Sequence, residues 1–237
     1  MHAESDVRRR RCYLVRHGHV DYFDALGRPL DPRTVALSRT GTQQAWALGQ
    51  VLQDVQFDRV LCSDYPRARQ TLDLLLQGNQ VPVESMPELR EIRAGRLREI
   101  PAEALREQVV GAYRAAGVAG ARFLGGERWD DFQRRVLSLF FELLQDPGWD
   151  SALIVSHDAV NRILLGWAAG LGLAGIAAFE QDTACLNVLD IDMRGDQVLG
   201  ALIRTLNFTP YDPHKAGIHG TVLENLFLAI EPAGLRA

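Results

Sequence analysis

Cys12-Tyr13-Leu14-Val15-Arg16-His17-Gly18 is the stretch on which the reading of the fold turns. Four apolar residues, aromatic and β-branched among them, that stop at a glycine have the length and punctuation of a buried strand ending in a tight turn. Open α/β sheets place their ligand sites just beyond the carboxyl ends of such strands. An arginine and a histidine side by side there fit a nucleophile or base next to an anion clamp. Taken alone, the same pair is more often an inert surface feature, so its meaning depends on the rest of the chain.

On the amino-terminal side, Arg8 to Arg11 read as a solvated leader to this strand. Only Cys12 to Val15 separate that basic run from Arg16, too short an apolar stretch for a secretory signal. On the carboxyl side a loop, His19 to Leu37, carries the breakers Gly27-Arg28-Pro29 and Asp31-Pro32. Ser38 or Thr40 then caps a helix whose apolar positions Ala45, Leu48, Leu52 and Val55 recur at helical spacing. Phe57 to Cys62 reads as a second short strand, followed at Ser63-Asp64 by a helix from Tyr65 to Leu76 with Pro66 in its first turn. Val81-Pro82-Val83 is a brief third strand.

Glu88 to Arg98 is arginine-rich and irregular. Helical stretches follow at Pro101 to Ala116 and Glu127 to Gln145, the second with an apolar face of Trp129, Phe132, Val136, Phe140 and Leu143. The glycines between them (Gly117, Gly120, Gly125, Gly126) suggest an insertion that lies over a site and moves. Ala152 to Val155 is the clearest buried strand, closed by Ser156-His157-Asp158 and followed by a helix bearing Val160, Ile163, Leu164 and Trp167. Two late strands, Leu186 to Ile191 and Val198 to Leu206, flank a turn at Met193 to Asp196, and an amphipathic segment runs from Val222 to Ile230.

Strands alternating with helices predict an α/β fold: a three-layer α/β/α sandwich, its mixed sheet mostly parallel, with helices on both faces and a helical insertion over the site. The 237 residues suit a single domain spanning 1–237, with the insertion at about 99–146 and a tail at about 207–237. A net charge of −4 gives no basic footprint for nucleic acid, and no run approaches the roughly 18 apolar residues of a membrane span. Cys12, Cys62 and Cys185 each lie in apolar, strand-like runs and read as free thiols of a cytoplasmic protein. His214 and His219 have no ligand-type neighbours, so neither metal nor cofactor is expected. The face from Val222 to Ile230 offers itself to a homodimer, although packing on its own domain is the default. The aromatics Trp129, Phe132, Phe208 and Tyr211 have core packing as their first expectation, ahead of lining a pocket.

Arg16-His17, Ser63 to Arg67 and His157 all follow strands, and in a parallel sheet those ends share an edge. Two arginines and two histidines brought into one hollow would suit a phosphate, because guanidinium forks match phosphate oxygens in pairs and keep their charge. The joint pattern resembles the histidine phosphatase superfamily, also called phosphoglycerate mutase-like. The motifs that carry the resemblance are Arg16-His17-Gly18, Leu37-Ser38-x-x-Gly41-x-x-Gln44-Ala45, Ser63-x-x-x-Arg67-Ala68-x-Gln70-Thr71, Leu89-Arg90-Glu91-x-x-x-Gly95-x-Leu97 and Ile154-Val155-Ser156-His157. They stand in the family's order and cover most of the chain.

The resemblance implies that His17 is the nucleophile attacking phosphorus. It makes Arg16, Arg67 and His157 the clamp on the phosphoryl oxygens, with Gly18 and His19 in the substrate-binding loop. Glu91, rather than Glu88 or Glu99, becomes the acid that protonates the leaving alkoxide. No metal is required, since the arginines supply the positive charge. The implied activity is that of a phosphomonoesterase acting on a small phosphorylated metabolite through a phosphohistidine. The alternatives are mutase-type phosphoryl transfer and a non-catalytic phosphate-binding protein. Three departures stand out. Phe23 occupies the place of an asparagine that touches phosphate, a contact that is either lost, which motivates the non-catalytic alternative, or supplied by Asp24 or backbone amides. Asp158 replaces a glycine and is expected to cap the helix after His157. Ala94 stands where mutases tend to carry a tyrosine, which counts against transfer.

Overall fold

The computed structural model describes residues 7–78 and 81–230. Six strands form one mixed sheet in the order β3-β2-β4-β1-β5-β6. They are β1 (Arg8–Arg16), β2 (Arg59–Cys62), β3 (Val83–Ser85), β4 (Ser151–Ser156), β5 (Leu186–Arg194) and β6 (Gln197–Phe208). The first four are parallel to one another, and β5 and β6 add an antiparallel edge. The sandwich is therefore α/β with a mostly parallel sheet, as expected.

The strands show why both faces must be covered. Successive side chains point to opposite faces, and here both sets are apolar. Cys12, Leu14, Leu61, Ala152 and Ile154 enter one core, while Val15, Val60, Cys62, Leu153 and Val155 enter the other. The second core is roofed by α1 (Arg39–Leu52) and α2 (Pro66–Leu76) through Leu48, Leu52, Leu72 and Leu75. The first is larger and takes α3 (Ala102–Val110), α4 (Trp129–Gln145), α5 (Asp158–Ala168) and the single turn α6 (Gly172–Gly175). Trp129, Phe132, Val136, Phe140 and Leu143 of α4 are all buried, so the stripe read from the sequence is core. The three cysteines are buried and free.

Several boundaries and roles differ from the expectations. The arginine run is not a leader: Arg8 to Arg11 lie within β1, paired residue by residue with β5 from Met193 to Asp190. Aspartates on the neighbouring strands make that possible, since Arg9 bonds Asp192 and Arg11 bonds Asp190, each at 2.7 Å. Arg10, on the opposite face, is buried over the Trp149 ring and donates to Leu144 O at 2.7 Å. β3 begins at Val83, past Pro82, whose missing N–H cannot join a ladder. α3 ends at Val110, because Gly111 closes it and a short 3₁₀ turn takes over at Arg114–Gly117.

The glycine-rich link is held against the segment before it. A Cβ at Gly126 would lie 2.1 Å from Arg93 O, and one at Gly95 would lie 2.5 Å from Leu124 O. Gly95 and Gly126 are there for backbone contact between the two segments. α7 (Val222–Ile230) buries Leu223 and Ile230 in the first core, so its apolar face packs on its own chain. The tail's last seven positions, 231–237, and residues 1–6 lie outside the described residues. Among the described residues, no single helix is long and apolar enough to cross a membrane.

Candidate active site

β2, β4 and β1 are adjacent and parallel, so their carboxyl ends coincide: Arg16 pairs with Ser156 and Cys62 with Val155. The next residues are held in the same ladder, with His17 N donating to Ser156 O and Ser63 N to Val155 O, both at 3.0 Å. Sheet topology thus brings together three sequence-distant motifs, as expected. Arg16, His17, Ser63, Arg67 and His157 are all buried at this edge.

Most of the remaining motif residues support the loop that starts at His17. A Cβ at Gly18 would sit 2.5 Å from Gly41 O, and one at Gly41 would sit 2.1 Å from His19 O. The loop therefore crosses the first turn of α1 at backbone distance, and each glycine requires the other. Ser38 caps α1 by accepting from Gly41 N and also lies 2.9 Å from His19 Nδ1. Gln44 accepts from His19 N, Thr71 from Gly18 N and Gln70 from Leu37 N. These polar side chains replace the ladder partners that an irregular loop lacks.

Arg67 organises the chemistry. Its Nε donates to His17 Nε2 at 3.0 Å, its Nη2 lies 3.2 Å from His157 Nδ1, and its Nη1 donates to Pro32 O. A guanidinium only donates, so both imidazole nitrogens facing it must be acceptors. His17 consequently carries its proton on Nδ1, which donates to Gly18 O at 2.7 Å, and its Nε2 holds a lone pair. His157 takes the opposite tautomer and donates from Nε2 to Ser63 Oγ at 2.9 Å. Burial, then the Arg67 charge, push both imidazoles well below the usual histidine value, with Arg16 acting in the same direction. Both rings are therefore neutral at pH 7, and their centroids are 5.1 Å apart.

Neither arginine is neutralised by a carboxylate within ion-pair distance among the described residues. Arg16 donates from Nη1 to Gln181 O, and its buried Nε has no partner. Glu91 completes the cluster at the start of α5, where its Oε1 accepts from Ala159 N at 3.2 Å. Burial first, and then the Asp158 charge, raise Glu91 to about 7, against the lowering effect of the Ile92 amide and the two arginines.

Two expectations about individual residues are corrected. Asp158 does not cap α5; His157 is the cap, and the Asp158 carboxylate is buried in an ion pair with Arg162 at 2.6 Å and accepts from Tyr113 Oη at 2.8 Å. Asp24 binds Arg28 and the amides of Leu26 and Arg28, which leaves its carboxylate engaged within its own loop. Three further contributors are absent from the sequence reading. Tyr65 packs edge-on to His157 and under the Arg67 guanidinium, 4.8 Å from ring centre to carbon. Ala184 N donates to His17 O at 3.0 Å from a left-handed backbone conformation, φ 50°. Gln181, which holds Arg16, is fixed by a reciprocal amide pair with Asn187. Gln181 and Ala184 precede β5 rather than follow a strand, so strand ends alone give no sign of them, and Tyr65, inside the Ser63 to Arg67 stretch, reads only as a helix start. Among the described residues, no group of three or more His, Cys, Asp or Glu side chains is arranged to hold a metal ion.

A three-layer α/β domain with two neutral imidazoles between unneutralised guanidiniums has the features of a phosphatase-class hydrolase. Residues 12–202 match the family model for the histidine phosphatase superfamily, branch 1. An adenosylcobalamin/α-ribazole phosphatase of Salmonella typhimurium is 31% identical over 183 residues, covering 76% of this chain and 90% of that protein. A probable phosphoglycerate mutase GpmB of Erwinia tasmaniensis is 29% identical over 163 residues, covering 68% and 75%. The crystal structure of a putative α-ribazole-5′-P phosphatase from Escherichia coli superposes with a TM-score of 0.68 at 27% identity, covering 84% of this chain and 96% of that one. The chain belongs to the histidine phosphatase superfamily.

Proposed function

We propose that this protein is a metal-independent, cytoplasmic phosphomonoesterase that hydrolyses a small phosphorylated metabolite through a phosphohistidine at His17. The observation that carries this reading is the protonation pattern enforced by Arg67: a lone pair on His17 Nε2 beside guanidiniums that have no carboxylate of their own among the described residues. A neutral, anchored imidazole is nucleophilic, and unneutralised guanidiniums are prepared for the equatorial oxygens of an in-line transfer.

In the first step Arg67 Nε passes from His17 Nε2 to a phosphoryl oxygen, and the freed Nε2 lone pair bonds to phosphorus as the bond to the ester oxygen breaks. Glu91 supplies the proton that the alkoxide takes away. The second step reverses the roles: Glu91 removes a proton from water as it attacks phosphorus, and His17 is released with inorganic phosphate. A carboxyl near 7 is suited to both duties at neutral pH. Arg16, Arg67 and His157 hold the transferring group, while Gly18 and His19 act through the loop that they anchor. The chain is read as a single domain, 1–237, whose insertion at about 99–146 closes over this edge. The absence of the mutase tyrosine at Ala94 favours water over a second hydroxyl as acceptor.

The test is turnover of a phosphate monoester in excess chelator, with a radiolabelled ester used to trap the intermediate. Wild type should turn over and carry an acid-labile label, and His17→Ala should do neither. Loss of turnover on chelation, or an unlabelled protein that still turns over, would remove the phosphohistidine. The α-ribazole phosphatases among its relatives make α-ribazole 5′-phosphate the first compound to rank in a substrate panel.

A further inference from the structure

Behind the residues assigned to phosphoryl transfer lies a buried ionic cluster that the transfer itself does not use. Asp158, the first residue of α5, is buried together with Arg162 and Tyr113. Arg162 Nε donates to Asp158 Oδ1 at 2.6 Å, and Tyr113 Oη donates to Asp158 Oδ2 at 2.8 Å. Arg162 lies over the Tyr113 ring at 4.1 Å and also binds Glu180 at 2.9 Å and Ile176 O at 3.1 Å. A hydrophobic isostere would fill this space without the desolvation cost of buried charges. The position of the cluster gives it a use.

Ala159, the neighbour of Asp158, donates its backbone N–H to Glu91 Oε1 at 3.2 Å. Two carboxylates therefore meet at one helix start, one tied to the amide directly after the other. Asp158 cannot relieve the crowding by turning away, because both its oxygens are fixed by donors from α5 and from the segment after α3. Carboxylates buried beside one another do not both ionise readily, and the one without a cationic partner keeps its proton. Asp158 has Arg162; Glu91 has no ion-pair partner among the described residues.

We propose that Asp158, clamped by Arg162 and Tyr113, is a positioning residue that keeps the proton on Glu91 until the leaving group takes it. This rests on the reading of Glu91 as the proton donor. The charged and titratable groups facing Glu91 are Arg16 from β1, Arg67 from α2, Asp158 from α5 and Tyr113 from the insertion. The arginines favour its ionised form, and Asp158 opposes them. Around Asp158 itself stand Arg162, Tyr113, Arg16 and Cys185. Aspartate at position 158 thus gives this chain a means of holding its acid protonated against two nearby guanidiniums.

The experiment is the pH dependence of kcat/KM with an alkyl phosphate, whose leaving group needs a proton. Wild type should lose activity as pH rises through the ionisation of Glu91, and Glu91→Gln should lack that limb. Asp158→Asn keeps the shape and one acceptor oxygen for Arg162, turns the other position into an amide donor that the Tyr113 hydroxyl can accept, and removes the charge, so the limb should move down by about one pH unit. With an aryl phosphate, whose phenolate leaves unaided, the limb should be weak in both proteins. Tyr113→Phe removes a donor that offsets the Asp158 charge, so its limb should move up, by less. A limb that persists in Glu91→Gln overturns the proton-donor reading and this inference with it. A limb that vanishes in Glu91→Gln yet stays in place in folded Asp158→Asn overturns the inference alone. Should Asp158→Asn fail to fold, an unmoved limb in Tyr113→Phe has the same force.

Discussion

The two ends of β1 carry the same residue type in opposite electrostatic states. At the amino end, Arg9 and Arg11 meet aspartates of β5, and Arg8 meets Asp150. At the carboxyl end, Arg16 and its neighbour Arg67 have carbonyl oxygens and imidazoles as partners and, among the described residues, no ion-paired carboxylate. Carboxylates follow the same division. Asp190 at the amino end is lowered by its bonds to Arg11 and Arg204, whereas Glu91 at the site is raised to about 7 by burial and by Asp158. The amino end has three of its four arginines matched by aspartates and serves stability; the fourth, Arg10, is buried against Leu144 O and the Trp149 ring. The carboxyl end leaves positive charge unmatched, a state that is unfavourable until an anion enters and that therefore points to function.

That contrast fails most visibly if Arg67 proves replaceable. Arg67→Gln removes a donor to each imidazole together with a buried positive charge. kcat/KM for a phosphate monoester should fall by about 10³-fold, at the upper end of what one preorganised donor supplies. Thermal stability without ligand should hold or rise, because an uncompensated charge has gone. Inorganic phosphate should raise the melting temperature of wild type and leave that of Arg67→Gln unchanged, read by calorimetry. A variant that loses stability and keeps activity would assign Arg67 to the matched class.

The carboxylate half of the contrast gives the next largest effect, on stability and with a definite sign. Glu91 is raised from 4.5 to about 7 in the folded protein, so it binds its proton more tightly folded than unfolded. Its favourable contribution is complete below pH 4.5 and is lost as pH rises through 7. Glu91→Gln should therefore stabilise the protein at pH 8, by on the order of 2–3 kcal/mol, and do little at pH 4. Denaturant unfolding at the two pH values checks this. Equal effects at both would mean that the carboxyl is not held protonated.

How much of this is legible in the sequence depends on the physics of each element. β1, β2 and β4 are readable because strands buried on both faces are continuous apolar runs, and the site follows because parallel strands align their ends. Arg8 to Arg11 resemble a solvated leader because charge at a strand start looks like solvent exposure until its aspartates, some 180 residues away along the chain in the case of Asp190 and Asp192, are seen opposite. Asp158 resembles a cap for a related reason: helix-start aspartates usually are caps, and only the fold brings Tyr113 and Arg162 to it together. Local spacing reveals what a segment prefers; partners of opposite charge are a property of the assembled sheet.

Within the matched end, Asp190 offers the smaller but sharper test. Its side chain is fully buried between Arg11 and Arg204, each 2.7 Å away. Asp190→Asn should cost about 1–2 kcal/mol at pH 7, since the two arginines are themselves half exposed and partly screened. Asp190 is lowered from 3.8, so its contribution is present above that value and disappears as pH falls through its folded value. The penalty of the variant should accordingly shrink in strong acid, with kcat/KM unaffected at neutral pH.

The smallest effect is expected at Arg9, and it decides whether matching alone is enough. Arg9 and Asp192 form a bidentate pair at 2.7 and 2.9 Å, yet Arg9 is half exposed and Asp192 partly so. Solvent and salt screen such a pair, and the ordering of two long side chains offsets what attraction remains. Arg9→Gln should leave both the unfolding midpoint and kcat/KM unchanged within error, at low salt as well as high. A clear loss of stability there would show that the pairs along β1 and β5 act as one cooperative row, so that the burial of Asp190 no longer sets its pair apart from that of Asp192. The division between the two ends of the strand would then rest on ion pairing itself, whether buried or not.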